Sequence, residues 1–277
     1  MTGPNIDLHT HTTCSDGSLS PVELLQFAVE RGVEMLSITD HDTLAAYSDA
    51  LGQVPDAPML IPGLEVSAAW QRRDVHILGL NVDLSDTRLR EPLMLQWQAR
   101  KRRAERIAHR LARRRIEGAL EGARRHANGA VIGRPHFAAF LVEHGVVPDM
   151  ATAFKKYLGT GKVGDVRTAW PQMDEAIRWI TQAGGVAVLA HPGKYGLTAT
   201  KLRALVADFK TAGGAALEVV SGLQQEAQTR VLADLCNEAE LLASRGSDFH
   251  HRDQRWADLG RGPALPRSVR PVWSSWT

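Results

Sequence analysis

Short apolar runs that end in histidine or carboxylate recur along this chain, and that recurrence restricts its fold more than any other feature. Ile6-Asp7-Leu8-His9-Thr10-His11 is the first, with Asp16 on a polar turn just beyond it. Met35-Leu36-Ser37-Ile38-Thr39 runs into Asp40-His41-Asp42, and residues 59–64 lead to Glu65. Residues 75–80 carry His76, and residues 186–190 are capped by His191-Pro192-Gly193. Residues 216–220 carry Glu218, and residues 241–244 lead into Gly246-Ser247-Asp248-Phe249-His250.

Helices are expected between these strands. Ser20-Pro21-Val22-Glu23 offers an N-cap, a proline at N1 and a glutamate at N3. Leu24, Leu25, Ala28 and Val29 give that helix one apolar face, and Gly32 stops it. Further helices are expected over residues 44–51, 174–183, 202–212 and 229–239. Continuous apolar strands alternating with helices imply a parallel sheet covered by helices. About seven such units suit a closed barrel, whose reactive side chains sit at the C-terminal ends of the strands. The histidines and carboxylates of this chain fall at those ends.

The alternation breaks over residues 93–125. There Ile107, Leu111, Ile116 and Leu120 supply apolar positions, and Arg102, Arg103, Arg106, Arg110, Arg113, Arg114 and Arg115 crowd the rest. Residues 95–165 therefore read as an inserted, mainly helical, basic subdomain, leaving 1–94 and 166–277 to the barrel. Net charge is only +2, so the remainder is slightly acidic, as a site rich in Asp and Glu requires. The basic segment points to an anionic partner, RNA phosphates included; a solvated helix face is the alternative. The tail beyond Pro263, with Trp273 and Trp276, is expected to pack along the outside.

No run of eighteen apolar residues occurs, so no membrane span is expected. The first residues lack a basic stretch followed by an apolar one. Two distant cysteines, Cys14 and Cys236, argue against a disulfide framework and for a reducing cytoplasm. No obligate protein partner is implied.

Residues i and i+2 of a strand share a face, so His9 and His11 aim two imidazoles at one point, which suits a metal ion. Imidazoles and carboxylates without thiolates favour Mn, Fe or Zn. Nine candidate ligands, His9, His11, Asp16, His41, Glu65, His76, His191, Asp248 and His250, are too many for one ion; two or three fit better. Clustered ions suit phosphoester hydrolysis, and Arg134 and Lys194 are placed to neutralise a phosphoryl group. For Arg134 an ordinary ion pair is the alternative, His136 is either a substrate contact or structural, and Glu218 is either a partner of a ligand or a core-edge carboxylate. Gly159-Thr160-Gly161-Lys162-Val163 lacks the spacing and hydroxyl of a phosphate loop.

The ordered series His9-Thr-His11 with Asp16-Gly17, Thr39-Asp40-His41, Gly63-Leu-Glu65, His76, Arg134-Pro-His136, Ala190-His191-Pro192 and Gly246-Ser-Asp248-Phe-His250 resembles the PHP (polymerase and histidinol phosphatase) family. Gly133 to Ala138 and Gly246 to His250 are most similar to a subgroup holding 3′,5′-nucleoside bisphosphate phosphatases and the 5′→3′ exoribonuclease called RNase AM. The resemblance implies an α/β fold, a distorted (β/α)7 barrel with the helical insertion, and three divalent ions, Mn2+ first, with Fe2+ or Zn2+ as alternatives. By motif, His9, His11, Glu65 and Asp248 would hold one ion, Glu65, His76 and His191 a second, and Asp16, His41 and His250 the third. A metal-bridging hydroxide would attack phosphorus beside Arg134, His136 and Lys194, and Asp40 joins those three as a substrate contact. Cys14, where relatives have a small residue, and the segment 161–166, which lacks their proline-bearing form, depart from the pattern.

The expected function is a metal-dependent phosphoesterase acting on short RNA or a nucleoside bisphosphate. A histidinol-phosphate-type phosphatase is the enzymatic alternative; the added basic subdomain serves a polyanion better. A non-catalytic nucleic-acid-binding module would require ligands to be missing from the series, and the series is complete.

Overall fold

The computed structural model describes residues 4–48, 51–52 and 54–276. Its strands form two sheets. In the first, β1 (Ile6–Thr10), β2 (Met35–Ile38) and β3 (Met59–Leu60) lie parallel in the order β1-β2-β3. In the second, β4 (Gly63–Trp70), β5 (Arg73–Leu80), β6 (Val186–Leu189), β7 (Ala216–Ser221) and β8 (Leu242–Gly246) follow in sequence order. Both edges of the second sheet meet the first. Thr10 bridges to Phe249 beyond β8, and His41 beyond β2 bridges to Glu65 on β4. Ile6, Leu8 and Met35 from the first sheet share one core with Leu78, Leu80, Val188 and Ala216 from the second.

The sheet is mixed, which corrects the all-parallel expectation. β4 and β5 form an antiparallel hairpin, and β5 runs antiparallel to β6 as well. Only Gln71 and Arg72 separate the two strands, with Gln71 at φ 57°. No Gly, Asn or Pro announces that turn, the usual sign of a tight hairpin. The reversal has a consequence for His76. It lies in the first half of β5, yet because β5 runs backwards this half sits beside the C-terminal ends of its neighbours. Glu65, in turn, is the third residue of β4, with five strand residues after it, rather than a strand end.

The helix α1 (Pro21–Glu30) forms as its ends dictate: Ser20 and Glu23 exchange capping hydrogen bonds, Pro21 opens it, and Gly32 at φ 65° follows the C-cap. Such a cap stabilises by about 1 kcal/mol. Instead of the expected helix, residues 45–46 form a turn and residues 44, 47 and 48 are irregular; residues 49–50 of that expectation lie outside the described ones. α2 (Thr87–Ala112) is the long basic helix, followed by α3 (Ala119–Ala127), α4 (Arg134–Glu143) and a short α5 (Met150–Ala153) that continues as a π-helical turn, Phe154–Leu158. α6 (Met173–Gln182), α7 (Ala199–Thr211) and α8 (Glu226–Glu238) cover the second sheet.

α2 belongs to two cores. Leu89 and Leu93 pack with Leu64, Val66 and Ile77 of the β4–β5 hairpin. Ala104, Ile107 and Leu111 pack instead with Phe137, Phe140 and Leu158 of the helical insertion. α2 therefore runs through residue 95 without a break and joins the two cores. The tail is also more than an outer strap. Ala243 N–H donates to Arg270 O, and Val272, Trp273 and Trp276 pack onto the core shared by the two sheets. No helix among the described residues is long and apolar enough to cross a membrane.

Candidate metal centre

β1 is buried along its whole length and delivers His9 and His11 to one point; their ring centroids are 5.2 Å apart. Phe249 O accepts the His11 N–H at 2.8 Å, and His9 O accepts the Asp248 N–H at 2.9 Å, so the loop after β8 is zipped to the end of β1. This brings Asp248 Oδ1 to 3.4 Å from both His9 Nε2 and His11 Nε2.

Glu65 lies at the centre. Its Oε2 is 3.4 Å from His9 Nε2, 3.2 Å from His11 Nε2 and 3.1 Å from His41 Nδ1. Its Oε1 is 2.8 Å from His76 Nδ1 and 3.0 Å from His191 Nε2. On the far side of His11, Asp16 is 3.4 Å from His250 Nε2, 3.9 Å from His41 Nε2 and 3.8 Å from His11 Nδ1. All nine side chains expected from the sequence thus form one continuous cluster. Ligand atoms fall into overlapping groups within 4.8 Å of one another: His11, Asp16, His41, His250; His9, Glu65, His191; His9, His11, Asp248; His41, Glu65, His76.

The cluster's charges are coupled. Burial raises the Asp16, Glu65 and Asp248 carboxyls, but the surrounding imidazoles outweigh it and hold them well below the usual carboxylate range. Burial pulls His9 and His11 down, yet the carboxylates prevail, pushing His11 up to about 10 and His9 well above the ordinary value. For His41 burial wins, and it stays well below. His9 Nε2, both His11 nitrogens, His41 Nδ1, His76 Nδ1 and His191 Nδ1 are buried with no hydrogen-bond partner. Orphaned buried nitrogens are costly, and divalent cations among three carboxylates would satisfy one nitrogen of each histidine facing the cluster and the charge.

Among the supporting contacts, the sequence offers only Glu218, as one of two alternatives. Glu218, fully buried, resolves to a partner of two candidate ligands: its Oε1 is 3.0 Å from His9 Nδ1 and its Oε2 accepts the backbone N–H of His191. This turns His9 Nε2 towards the cluster. Tyr195 accepts the His76 N–H at 2.9 Å. Asp7, raised by burial, accepts the N–H groups of Ser247 at 2.8 Å and Gly260 at 2.9 Å and so fixes the loop bearing Asp248. A Cβ on Gly246 would lie 2.2 Å from the His9 Cβ, so β1 and β8 approach beside the candidate ligands only because residue 246 is glycine. His191 and Asp248 hold positive φ, 29° and 58°, a strained backbone of the kind found at functional sites.

α2 reaches the floor of the site. Arg100 donates to Asp42 Oδ2 at 2.6 Å and Ser67 Oγ at 2.7 Å, and Gln96 donates to Ser67 O at 2.7 Å. Above the cluster a cavity of about 150 Å³ is bounded by Asp16, His41, His76, Arg100, Arg103 and Arg134 among others. Asp74, His76 and Arg134 also line a wider cleft of about 540 Å³ that holds Lys194.

Of the expected substrate contacts, Arg134 and Lys194 line this cleft, with Lys194 Nζ 2.6 Å from Asp248 Oδ2. His136 does something else: its Nδ1 accepts the Gly133 N–H at 2.9 Å, capping α4, and burial lowers its pKa. Asp40 is 1% exposed and spends its oxygens on Thr12 and Ser15. It braces the loop before Asp16, where a buried carboxylate finds more donors than at the cleft.

A family model described as PHP domain matches residues 7–183. Over 98% of its length the chain is 46% identical to the 5'-3' exoribonuclease Rnm of Escherichia coli (strain K12), covering 93% of that protein. Over 97% of its length it is 39% identical to the 3',5'-nucleoside bisphosphate phosphatase of Chromobacterium violaceum, covering 95% of it. A solved amidohydrolase from Chromobacterium violaceum, with bound sulfate and no metal, matches with a TM-score of 0.91 at 38% identity, over 97% of this chain and 94% of that one. An inferred metal-dependent phosphoesterase from Bifidobacterium adolescentis matches with a TM-score of 0.80 at 27% identity, over 98% and 94%.

Proposed function

Because the chain belongs to the PHP domain family, we propose that it hydrolyses nucleotide phosphoesters, as a 5′→3′ exoribonuclease on short RNA, a 3′,5′-nucleoside bisphosphate 3′-phosphatase, or both. The observation that carries this reading is Glu65, a buried carboxylate with imidazoles of five histidines around its two oxygens. That arrangement serves a bridging ligand between cations. The names of relatives alike over nearly the whole chain support the substrate class.

In this reading His9, His11, Glu65 and Asp248 hold one divalent ion, Glu65, His76 and His191 a second, and Asp16, His41 and His250 a third. Manganese is the first choice and iron or zinc the alternatives. When bound, the ions supply a water acidified for attack on phosphorus and Lewis-acid neutralisation of the phosphoryl oxygens. Arg134 and Lys194 add charge-assisted hydrogen bonds to those oxygens from the cleft wall. Glu218 keeps the His9 ring oriented, and Tyr195 holds the His76 backbone. The two sheets are read as one distorted (β/α)7 barrel, supported by the edge bridges and the shared core.

The test is a manganese-supplemented assay on 3′,5′-adenosine bisphosphate, 5′-phosphorylated RNAs of graded length and histidinol phosphate. Turnover of the first two classes with little of the third is expected. Turnover of histidinol phosphate alone would favour the small-molecule phosphatase, and RNA binding without any turnover the non-catalytic module.

A further inference from the structure

We infer that Arg72 and Arg73, at the turn between β4 and β5, form with Arg167 a clamp for a second, non-scissile phosphate of the substrate. This rests on the phosphoesterase reading above and adds the feature that separates polyphosphorylated substrates from simple monoesters.

The cleft beside the cluster is walled by five cationic side chains, Arg72, Arg73, Arg134, Arg167 and Lys194, against two carboxylates, Asp74 and Asp165. Asp165 is already engaged, accepting the Gly161 N–H at 2.8 Å. Arg134 and Lys194 are accounted for by the scissile phosphate. Like several other surface arginines, Arg72, Arg73 and Arg167 make no ion pair among the described residues; what sets them apart is that all three line this cleft.

The backbones bearing these arginines are fixed. Ala69 N–H donates to Pro171 O at 2.8 Å, which lays the segment carrying Arg167 along the hairpin carrying Arg72 and Arg73. Arg103 and Arg106 of α2 donate to Val166 O at 3.3 Å and Arg167 O at 3.1 Å, pinning the backbone. The three guanidinium groups are left without a carboxylate on rigid supports. Arg73 lies three residues before His76 on β5, about 10 Å along the strand, and both residues line the same cleft. Guanidinium forks match phosphate oxygens in pairs. A nucleoside bisphosphate offers a second phosphate there, as does the next linkage of an RNA; a nucleoside monophosphate offers none.

The experiment compares wild type, Arg72→Ala/Arg73→Ala, Arg167→Ala and the lysine double variant Arg72→Lys/Arg73→Lys on 3′,5′-adenosine bisphosphate, a 5′-phosphorylated trinucleotide RNA and 3′-adenosine monophosphate. Both alanine variants should raise KM for the first two substrates about tenfold or more, leave kcat within about twofold and leave the monophosphate unchanged. The lysine variant should recover part of the loss. Equal losses on all three substrates, or no loss on any, overturn the clamp while leaving the phosphoesterase reading intact. A wild type that turns over none of the three overturns both.

Discussion

Glu218 holds His9 from behind: its Oε1 sits 3.0 Å from His9 Nδ1 while the opposite ring nitrogen, Nε2, faces Glu65 and Asp248 at 3.4 Å. The other Glu218 oxygen accepts the backbone N–H of His191, so one carboxylate beneath the cluster orients the His9 ring and holds the His191 backbone.

Glu218→Ala should weaken metal affinity by roughly 10–100-fold, the usual cost of losing the partner of a ligating histidine. Glu218→Gln keeps an acceptor for one of the two contacts and should lose less. Competition titration with a metal indicator checks this; unchanged affinity in the alanine variant would falsify the orienting role.

Gly246→Ala should damage the site without touching a ligand. The new Cβ meets the Cβ of His9 at 2.2 Å and its backbone N at 2.7 Å, and neither can swing away like the end of a flexible side chain. Overpacking of this kind costs about 1–3 kcal/mol. Thermal unfolding together with turnover should both fall; a variant as active and as stable as wild type would mean the strands separate more easily than their hydrogen bonds imply.

The Asp42–Arg100 pair ties α2 to the site floor, with both side chains nearly fully buried. Removing one partner strands the other charge, so Asp42→Ala should destabilise by about 3–5 kcal/mol. Replacing both, as Asp42→Ala/Arg100→Met, should recover much of that. Chemical denaturation of the two single variants and the double measures the coupling. Strict additivity would remove the anchoring role.

Much of the centre was legible because apolar strands and metal-ligand residue types alternate sharply in the sequence. His9, His11, His191 and Asp248 stand where apolar runs stop, and that pattern is local. The α1 helix was legible for the same reason, through Ser20, Pro21 and Glu23. The hairpin was not, since Gln71-Arg72 carries no turn signature, and without the hairpin the direction of β5 cannot be seen. Glu65 was found by residue type although its strand runs on past it. Contacts such as Asp7 with Ser247, Glu218 with His9 and Arg100 with Asp42 join residues far apart in sequence, so no local pattern announces them. Asp40 misled for the same reason: an Asp-His-Asp run names candidates, and only the fold shows that the Asp40 oxygens turn inward to Thr12 and Ser15.

Metal removal should be felt by the whole fold. A ligand that binds only the native state stabilises it by about 2.7 kcal/mol at a hundredfold excess over its Kd. Chelation should therefore lower Tm by several degrees with little change in the far-ultraviolet spectrum at room temperature, since the apolar core is built from other residues. Unchanged Tm and activity after exhaustive chelation would show that the cluster needs no cation.

The most direct measurement is anomalous X-ray diffraction on crystals of the manganese-loaded protein, paired with elemental analysis of the same sample. The account predicts manganese peaks between Glu65 and the surrounding imidazoles of His9, His11, His76 and His191, with a further peak beside Asp16, His41 and His250. It also predicts that His11→Ala or Asp248→Ala depletes these peaks and abolishes turnover while the fold persists. Crystals without metal peaks in this cluster, from protein that still cleaves nucleotide phosphoesters, would contradict it.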